Sequence, residues 1–471
     1  MNPNDDPARD TTRITEDAAA RLAAQTIGPV LLPGDERYDV ECASYNLAIA
    51  QQPALVVGAT NAADVQAAVR FAADQGLPVA VLATGHSALP SAGALLITTR
   101  RMDTVVVDVA ARTVRIEAGV RWQQVVDAAA EHGLAPLSGA APTVGAVGYT
   151  LGGGLSPIGR TFGFAADHVH LIDVVTADGE LRTVTPTDEP ELFWALRGGK
   201  GNFGVVTAME VALFPVSRIY GGGLFFPGER AADVLKAWGR WTAGVPDELT
   251  SSVALLRLPP VPEVPEPLRG RLVAHIRIAY VGTADDGERL IAPLRAIAPT
   301  LVDSVTEMPY RAVGSIHADP PTPIPFVDRS ALLREFTADL VDTIIAQAGP
   351  DTGSPLTVLE IRHLGGAFDR RPEPTNAIDL RDAAFTFYAV AIGGPDQAEA
   401  FQGHLTRLVQ AIQPWSTGGR FVNLLGAGDA TPDGVAAAYP PETYQRLAAI
   451  KRSYDPTNTF RVNHNITPGG S

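Results

Sequence analysis

Residues 81–93, VLATGHSALPSAG, contain the first group of side chains whose types and spacing could do chemistry. A β-rich run leads into the tetrapeptide Thr84–Ser87 (TGHS), and these small residues let several backbone N–H groups point at one place. Such a nest of amides binds a phosphate or a diphosphate without needing a basic side chain. His86, at the tip of the nest, would then lie against whatever the phosphate carries.

A second segment, residues 138–159, reads SGAAPTVGAVGYTLGGGLSPIG and is crowded with glycine. Glycine tolerates positive φ and lets the backbone approach a ligand closely. We interpret this segment as a second ligand-binding loop, and a tight loop with a purely structural role is the alternative. The glycines are Gly139, Gly145, Gly148, Gly152, Gly153 and Gly154.

A third glycine segment, from Gly199 to Gly204, matches the pattern G-x-G-x-x-G. In dinucleotide-binding folds that pattern follows a strand and opens a helix, because the helix N-terminus meets the diphosphate. Here a helical pattern, DEPELFWALRGG, precedes it and a strand pattern, GVVTAMEVALF, follows it. The match is therefore false. The chain also lacks the phosphate-loop pattern G-x-x-x-x-G-K-[ST] and the nucleophile elbow G-x-S-x-G.

The elements that must position these loops change character along the chain. From Pro53 to about Val216, short β-rich runs alternate with helices, and from Gly221 to about Gly419 longer strand-like runs separate longer helices. The second pattern predicts an antiparallel sheet backed by helices, so the fold class is α+β with two domains. We expect a first domain over residues 1–216 (core about 50–216), a second over 217–430, and a segment 431–471 that returns to the first.

The composition excludes several classes of function. The net charge of −15 repels nucleic acid, and the single cysteine, Cys42, excludes an intramolecular disulfide and a cysteine-based metal site. We expect no metal centre. The first 25 residues lack a basic start and an apolar run, and no stretch of 18 apolar residues occurs, so a cytoplasmic protein without a membrane partner is expected. An excess of 34 arginines over 3 lysines is typical of a GC-rich bacterial coding sequence.

At these segments the chain resembles the berberine bridge enzyme-like branch of the FAD-linked oxidases, in the vanillyl-alcohol oxidase superfamily. ATGHS is similar to the family's R-[SG]-G-G-H-S, and APTVGAVGYTLGGG to its C-P-T-V-G-x-G-G-x-x-x-G-G-G. ELFWALRGGKGNFGVVT resembles D-L-F-W-A-x-R-G-G-G-G-N-F-G-V-V-T. The final YQRLAAIKRSYDPTNTFRVNHNITP resembles the family's closing segment, so the four matches span most of the chain.

The resemblance implies the family's two-domain PCMH-type fold, with FAD in the first domain and a substrate domain that covers the isoalloxazine ring. His86 matches the histidine that bonds the flavin 8α-methyl group, an attachment that raises the flavin's reduction potential and prevents its loss. A satisfied loop histidine is the alternative. The other cofactor-binding residues implied are Thr84, Gly85, Ser87, Thr143, Gly145, Gly148, Gly152, Gly153, Gly154, Val206 and Asn463.

The chain departs from the family pattern at several positions. Ala141 stands where many relatives attach FAD a second time through cysteine, so we expect attachment through His86 alone. Thr84 replaces a glycine of the family pattern, which bears on how the diphosphate is held. Val144 occupies a position near flavin C4a where relatives with valine tend to react with oxygen, which favours an oxidase.

The reaction implied is hydride transfer from a C–H bond to flavin N5, while a base removes a proton from the adjacent O–H or N–H group. Tyr439 matches a tyrosine of the family's Tyr-Tyr-Gly turn and is one candidate base; a packed tyrosine is the alternative. Glu360 shares a strand face with Arg362, either beside the flavin or as a pair on a wet edge. Asn423 could bind substrate or anchor a turn, and His317 is at most a gate residue.

The leading hypothesis is an FAD-dependent oxidase of a small organic molecule that uses molecular oxygen. A monooxygenase or oxidative cyclase with the same covalent flavin is an alternative within flavoenzymes. A flavin-binding carrier that has lost turnover is the non-enzymatic alternative. The sequence does not name the substrate, because the second half of the chain contains no distinctive charge cluster or aromatic clamp.

Overall fold

The computed structural model describes residues 14–380 and 382–469, which form three sheets. The strands of the first sheet lie on both sides of the histidine loop in the chain. The strands of this sheet are β1 (Val30–Leu31), β2 (Leu55–Gly58), β3 (Val79–Leu82) and β4 (Leu95–Thr98). Their order is β1-β2-β4-β3, with β2, β3 and β4 parallel and β1 antiparallel to β2. Strand β3 ends two residues before Thr84 and so delivers the TGHS loop to one sheet edge.

The second sheet completes the first domain with five antiparallel strands. These are β5 (Val105–Asp108), β6 (Thr113–Glu117), β7 (Val169–Val175), β8 (Leu181–Val184) and β9 (Val205–Ala212). Their order is β5-β6-β9-β7-β8. Strands adjacent in the chain pair with each other at both edges of this sheet, β5 with β6 and β7 with β8.

The third sheet is antiparallel throughout, as predicted for the second domain. Its main path runs β13-β10-β12-β11-β16-β17-β15, and β14 also pairs with β10. The strands are β10 (Arg218–Pro227), β11 (Leu249–Arg257), β12 (Leu272–Tyr280), β13 (Val302–Asp303), β14 (Thr306–Pro309), β15 (Phe326–Leu333), β16 (Val358–His363) and β17 (Phe385–Ile392).

Helices pack on these sheets, and none of them, within the described residues, is long and apolar enough to cross a bilayer. Those before the third sheet are α1 (Glu16–Ala23), α2 (Tyr38–Cys42), α3 (Ala62–Gln75), α4 (Trp122–Ala130), α5 (Ala146–Leu151), α6 (Gly159–Phe162) and α7 (Pro190–Leu196). The helices between the strands of the third sheet are α8 (Ala231–Thr242), α9 (Ala284–Arg295) and α10 (Ala338–Ala348), and those after its last strand are α11 (Ala398–Ala411), α12 (Pro432–Ala436) and α13 (Pro441–Tyr454).

Helix α3 illustrates how local sequence sets the position of the histidine loop. It begins after Asn61, whose side chain accepts a hydrogen bond from the Asp64 N–H, and it ends at Gly76 with φ of 68°. An Asn cap and a left-handed glycine are the ordinary signals for the two ends of a helix. The chain then turns directly into β3, which carries it to Thr84.

The third sheet buries one face against helices and turns the other toward the first domain. Strand residues alternate between the two faces. The helix-facing side chains join α8, α10 and α11 in one apolar core cluster, which includes Val253, Ile276, Ile361 and Phe387. Their neighbours along the strands point the other way, and many of those are polar.

The C-terminal segment packs onto the first domain through a buried ion pair. Lys451 and Asp455 are fully buried at the end of α13, with 2.8 Å between Nζ and Oδ2. The Lys451 ammonium also donates to the Asn202 carbonyl at 2.7 Å, and the Asp455 carboxylate accepts from the backbone N–H of Phe460. This network ties α13 to the loop before β9. The exact domain boundaries, at residues 216 and 430, stay predictions.

Lys451→Met should lower the free energy of unfolding by about 3–5 kcal/mol, because it leaves the Asp455 carboxylate buried without its cation. Lys236→Met is the matched control: it removes an ion pair with a largely exposed Asp342, which is worth about 0–1 kcal/mol. Urea unfolding of both variants measures the difference. Equal losses in the two variants would contradict the anchoring role of Lys451.

Candidate active site

Two adjoining cavities lie on the first domain beside the glycine-rich loops. The larger, about 470 Å³, runs between these loops and the third sheet, and the smaller, about 190 Å³, lies deeper in the first domain. Several residues line both cavities, among them Ala83, Ser87, Gly148 and Lys200. The two therefore form one elongated site of the size that holds a cofactor and a small substrate.

His86 lines the larger cavity in a neutral, partly unpaired state. Its ring stacks on Tyr45 with 3.7 Å between ring centroids, and its Nδ1 lies 2.9 Å from the Thr84 hydroxyl. Burial, reinforced by the charge of Arg121, lowers the pKa of His86 to about 4. Its Nε2 is buried and has no hydrogen-bond partner among the described residues. The imidazole thus keeps a nitrogen available to another group.

The backbone of the TGHS loop needs its glycine. Gly85 has φ of 80°, and a Cβ there would lie 2.5 Å from the Ser44 Cβ, so only glycine fits. Thr84 links this loop to the second one, because its hydroxyl also accepts a hydrogen bond from the Gly145 N–H at 3.4 Å. The two loops predicted to hold a ligand therefore meet at one threonine.

The second glycine loop divides its residues between lining and support. A Cβ on Gly148 would meet nothing within 4 Å, whereas one on Gly152 would lie 1.9 Å from the Asn423 Oδ1. Gly153 and Gly154 adopt positive φ of 108° and 81°. Of the predicted cofactor residues, those lining the larger cavity are Thr84, Gly85, His86, Ser87, Gly145 and Gly148, those lining the smaller are Ser87, Gly148, Val206 and Asn463, and those in neither lining are Thr143, Gly152, Gly153 and Gly154.

The segment Tyr45–Asn46 joins the histidine loop to the third sheet. The Tyr45 N–H donates to the Thr84 carbonyl at 2.9 Å, while the Tyr45 carbonyl accepts from the Ile324 N–H at 3.0 Å. The Asn46 side chain donates to the Phe326 carbonyl and accepts from the Phe326 N–H. Sequence reasoning missed this segment, because nothing in it indicates a pairing with a residue 280 positions away.

Two predicted catalytic residues have mainly supporting contacts. Asn423 lines the larger cavity, but its Nδ2 donates to the Tyr149 carbonyl at 2.7 Å and so holds the second glycine loop. Tyr439 lies in the apolar core of the first domain, where its hydroxyl donates to the Gly198 carbonyl. Burial raises the pKa of Tyr439, away from the phenolate that a base would need. The structure favours a structural role for Tyr439.

Across the larger cavity, the third sheet presents two adjacent rows of polar side chains. In one row Arg277, Ser252, Arg362 and Thr386 are cross-strand partners on β12, β11, β16 and β17. In the next row Glu360 lies opposite Tyr388. Beyond these rows the cavity wall becomes apolar, with Val358, Val390, Ile392 and Phe326. The wall therefore changes from cationic to apolar along the strands.

Glu360 is the centre of the polar rows, on the same face as Arg362 as predicted. It accepts hydrogen bonds from Ser252 at 2.7 Å and Arg277 at 2.8 Å, and Arg362 lies 3.2 Å away. Burial alone would raise the pKa of Glu360, but Arg362 and Arg277 outweigh it and hold the pKa well below its usual value. Such a carboxylate is a weak base. His317, expected only at a gate, lies 3.3 Å from Glu360 inside the wall.

A phenol–carboxylate pair on this wall escaped the sequence analysis. Tyr388 lines the larger cavity, and its hydroxyl donates to the Asp328 Oδ2 at 2.8 Å. Burial raises the pKa of Asp328 to about 6. The signal was the alternation of Thr386, Tyr388 and Val390 on one strand face, but the pairing of β15 with β17 was needed to bring Asp328 beside it.

Comparisons with known proteins agree with this architecture. A profile described as "FAD binding domain" matches residues 53–185, and one described as "Berberine and berberine like" matches residues 427–467. The (R)-6-hydroxynicotine oxidase of Paenarthrobacter nicotinovorans is 29% identical over 94% of this chain and 97% of its own.

Solved structures give the same result for the fold. A crystal structure of 6-hydroxy-D-nicotine oxidase from Arthrobacter nicotinovorans superimposes with a TM-score of 0.82 at 28% identity, covering 94% of this chain and 98% of the other. The BBE-like 1 protein of Physcomitrella patens gives a TM-score of 0.84 at 22% identity, covering 96% and 100%, which shows the fold.

The fold, the two loops and these matches define a two-domain FAD-dependent oxidoreductase. Within that class, the chain carries an FAD-binding and a berberine-like domain match, and the relatives and solved structures that it resembles include berberine bridge enzyme-like FAD-linked oxidoreductases.

The residues of the two cavities fit FAD. The unpaired Nε2 of His86 is aimed at no protein group among those described, and the open space at Gly148 lies where the cavities meet. Asn463, in the smaller cavity, has a buried Oδ1 without a partner among the described residues. Orphaned polar atoms and open space on a glycine face are what a bound ligand would fill.

Gly148→Val should lower the flavin content of the purified protein at least severalfold, because its side chain would enter the space shared by the two cavities. Gly244→Val is the control, since that glycine is exposed and lines neither cavity. The ratio of absorbance at 450 nm to that at 280 nm measures the content. Full flavin in Gly148→Val would show that the cofactor does not occupy this junction.

Proposed function

We propose that this protein is an oxidase that carries FAD covalently on His86 and oxidises a small organic molecule at the expense of molecular oxygen. The observation that supports it most is that His86 and the polar face of the third sheet line one cavity. A group attached to His86 would lie between the glycine loops and Glu360, Arg362 and Tyr388. The nicotine oxidase relative has a small-molecule substrate of this kind in its name.

His86 has the properties that attachment requires. The lowered pKa keeps the imidazole unprotonated at neutral pH, so a ring nitrogen retains the lone pair with which it forms the bond. Stacking on Tyr45 and the contact with Thr84 hold the ring in place. A second covalent bond to the flavin through a cysteine sulfur is not available. Ala141 lines the cavity at the position where relatives carry cysteine, and Cys42 is buried in a separate apolar cluster.

The remaining loop residues would hold the rest of the cofactor. Thr84, Gly85 and Ser87 would bind the diphosphate through backbone N–H groups. Val206 and Asn463 line the smaller cavity, which would take the adenosine end. Gly145 and Gly148 would let the second loop approach the flavin closely.

When bound, FAD supplies an acceptor for a hydride at N5 and passes the electron pair to oxygen, which yields hydrogen peroxide. The protein's task is to orient the substrate and to remove its proton. Arg277, Arg362 and the ionised Glu360 would orient a polar end of the substrate. Val144 lines the same cavity, and its small side chain leaves room for oxygen near the ring.

Tyr388 and Asp328 would accept the proton. The Tyr388 phenol would take a proton from the substrate O–H or N–H group while it passes its own proton to the Asp328 carboxylate. An acceptor with a pKa of about 6 is ionised at neutral pH and basic enough to hold the proton. Glu360 is less suited to this role, because two guanidinium groups stabilise its charged form.

His86→Ala should abolish covalent flavin attachment, so that acid precipitation gives a colourless pellet and a yellow supernatant, whereas the native protein gives a yellow pellet. His132→Ala, at an exposed position outside both cavities, should leave the pellet yellow. A yellow pellet from His86→Ala would refute attachment at this residue.

Asp328→Asn should slow flavin reduction by roughly 10²-fold or more, the usual contribution of a general base. In the native protein the rate should fall as pH drops below about 6, because the carboxyl becomes protonated, and the variant should lose that limb. Stopped-flow bleaching at 450 nm measures the rate, with the fastest reductant from an anaerobic screen of amines, alcohols and sugars. Asp351→Asn, on the surface, is the control. An unchanged pH profile in Asp328→Asn would remove this pair from the mechanism.

A further inference from the structure

Lys200 occupies a position at which the family pattern has glycine. It lies in GGKGNFG, between α7 and β9, where the resemblance has G-G-G-G-N-F-G. Its φ is 55°, a left-handed conformation that glycine adopts freely and that is unfavourable for other residues. The backbone therefore explains the family's glycine but gives no reason for a lysine.

The positive charge of the Lys200 side chain has no anionic partner among the described residues. Its Nζ lies 3.5 Å from the Val422 carbonyl, and no carboxylate of the described residues pairs with it. Burial lowers the pKa of the Lys200 ammonium to about 8. Burial, together with the charge of Lys200, lowers the pKa of His464 to about 4. Lys200 is half-buried and lines both cavities, so its charge is available to an anionic group bound there.

Position 82 changes in the opposite direction, from a cation to a neutral residue. The family's R-[SG]-G-G-H-S begins with arginine, and this chain has Leu82 there. Leu82 and Lys200 both line the larger cavity and the smaller one. One cation is thus absent from the junction of the two cavities, and another is supplied to the same junction from a different loop.

We propose that Lys200 is a cationic binding residue for the diphosphate of FAD, replacing the arginine that the family carries at the position of Leu82. The inference rests on the proposed function, because it requires FAD to run through both cavities. Ser87 and Gly148 line the same junction, so the ammonium would add a full charge beside the backbone amides of the TGHS loop. The pyrimidine edge of the flavin is the other part of the cofactor that could receive this charge.

The test measures FAD affinity rather than turnover, in the His86→Ala background where the flavin is not bonded. Lys200→Met should raise the Kd for FAD at least tenfold, and Lys200→Arg should raise it much less. Lys200→Gly should weaken binding like Lys200→Met while relieving the positive φ, so it remains informative if Lys200→Met fails to fold. Titration of apoprotein by flavin fluorescence gives each Kd.

A relocated charge makes a stronger test. Leu82→Arg combined with Lys200→Gly recreates the family arrangement and should restore most of the affinity lost in Lys200→Gly. Riboflavin, which lacks the diphosphate, should bind equally well with and without the Lys200→Met substitution. An equal loss for riboflavin and FAD would move the contact to the ring and overturn the diphosphate assignment.

Equal FAD affinity in all these variants would also overturn the inference. A His86→Ala protein and a native protein that both fail to bind FAD would instead refute the proposed function, so the two failures are distinguishable.

Discussion

The pairing of Tyr45–Asn46 with Ile324 and Phe326 is the constraint on which the site depends. Its backbone is hydrogen-bonded to the histidine loop on one side and to the edge of the third sheet on the other, and the Tyr45 ring stacks on His86. The distance between the His86 imidazole and the face of the third sheet is therefore set by a few hydrogen bonds rather than by the general packing of two domains.

The polar wall opposite His86 combines two different electrostatic environments within one sheet. Glu360 is surrounded by Arg277 and Arg362 and stays ionised, whereas Asp328 is buried beside Tyr388 and has a raised pKa. Environments that shift the pKa values of two carboxylates in opposite directions allow one carboxylate to bind a substrate group and the other to accept a proton. The division follows from the positions in the sheet: Glu360 shares β16 with Arg362 and reaches Arg277 across β11, whereas Asp328 lies on β15, beyond Tyr388 on β17.

The sequence was sufficient for local features and insufficient for contacts between distant strands. Glycine density, the TGHS loop, the antiparallel character of the second domain and the shared face of Glu360 and Arg362 all follow from short-range patterns. Tyr388 and Asp328 come together only through the pairing of strands 60 residues apart, which alternation alone does not specify. Tyr439 was chosen from a motif, and its burial against Gly198 is a property of the packed C-terminal segment.

The change from guanidinium groups to Val390, Ile392 and Phe326 along the wall has a stereochemical consequence. A molecule with one ionic end and one hydrocarbon end has a single favourable direction on such a surface, since reversal would desolvate the ionic end against aliphatic side chains. With its direction fixed, a prochiral carbon presents the same one of its two hydrogens on every encounter. Enantioselectivity would then arise from the order of residues along two strands rather than from a tightly fitted pocket.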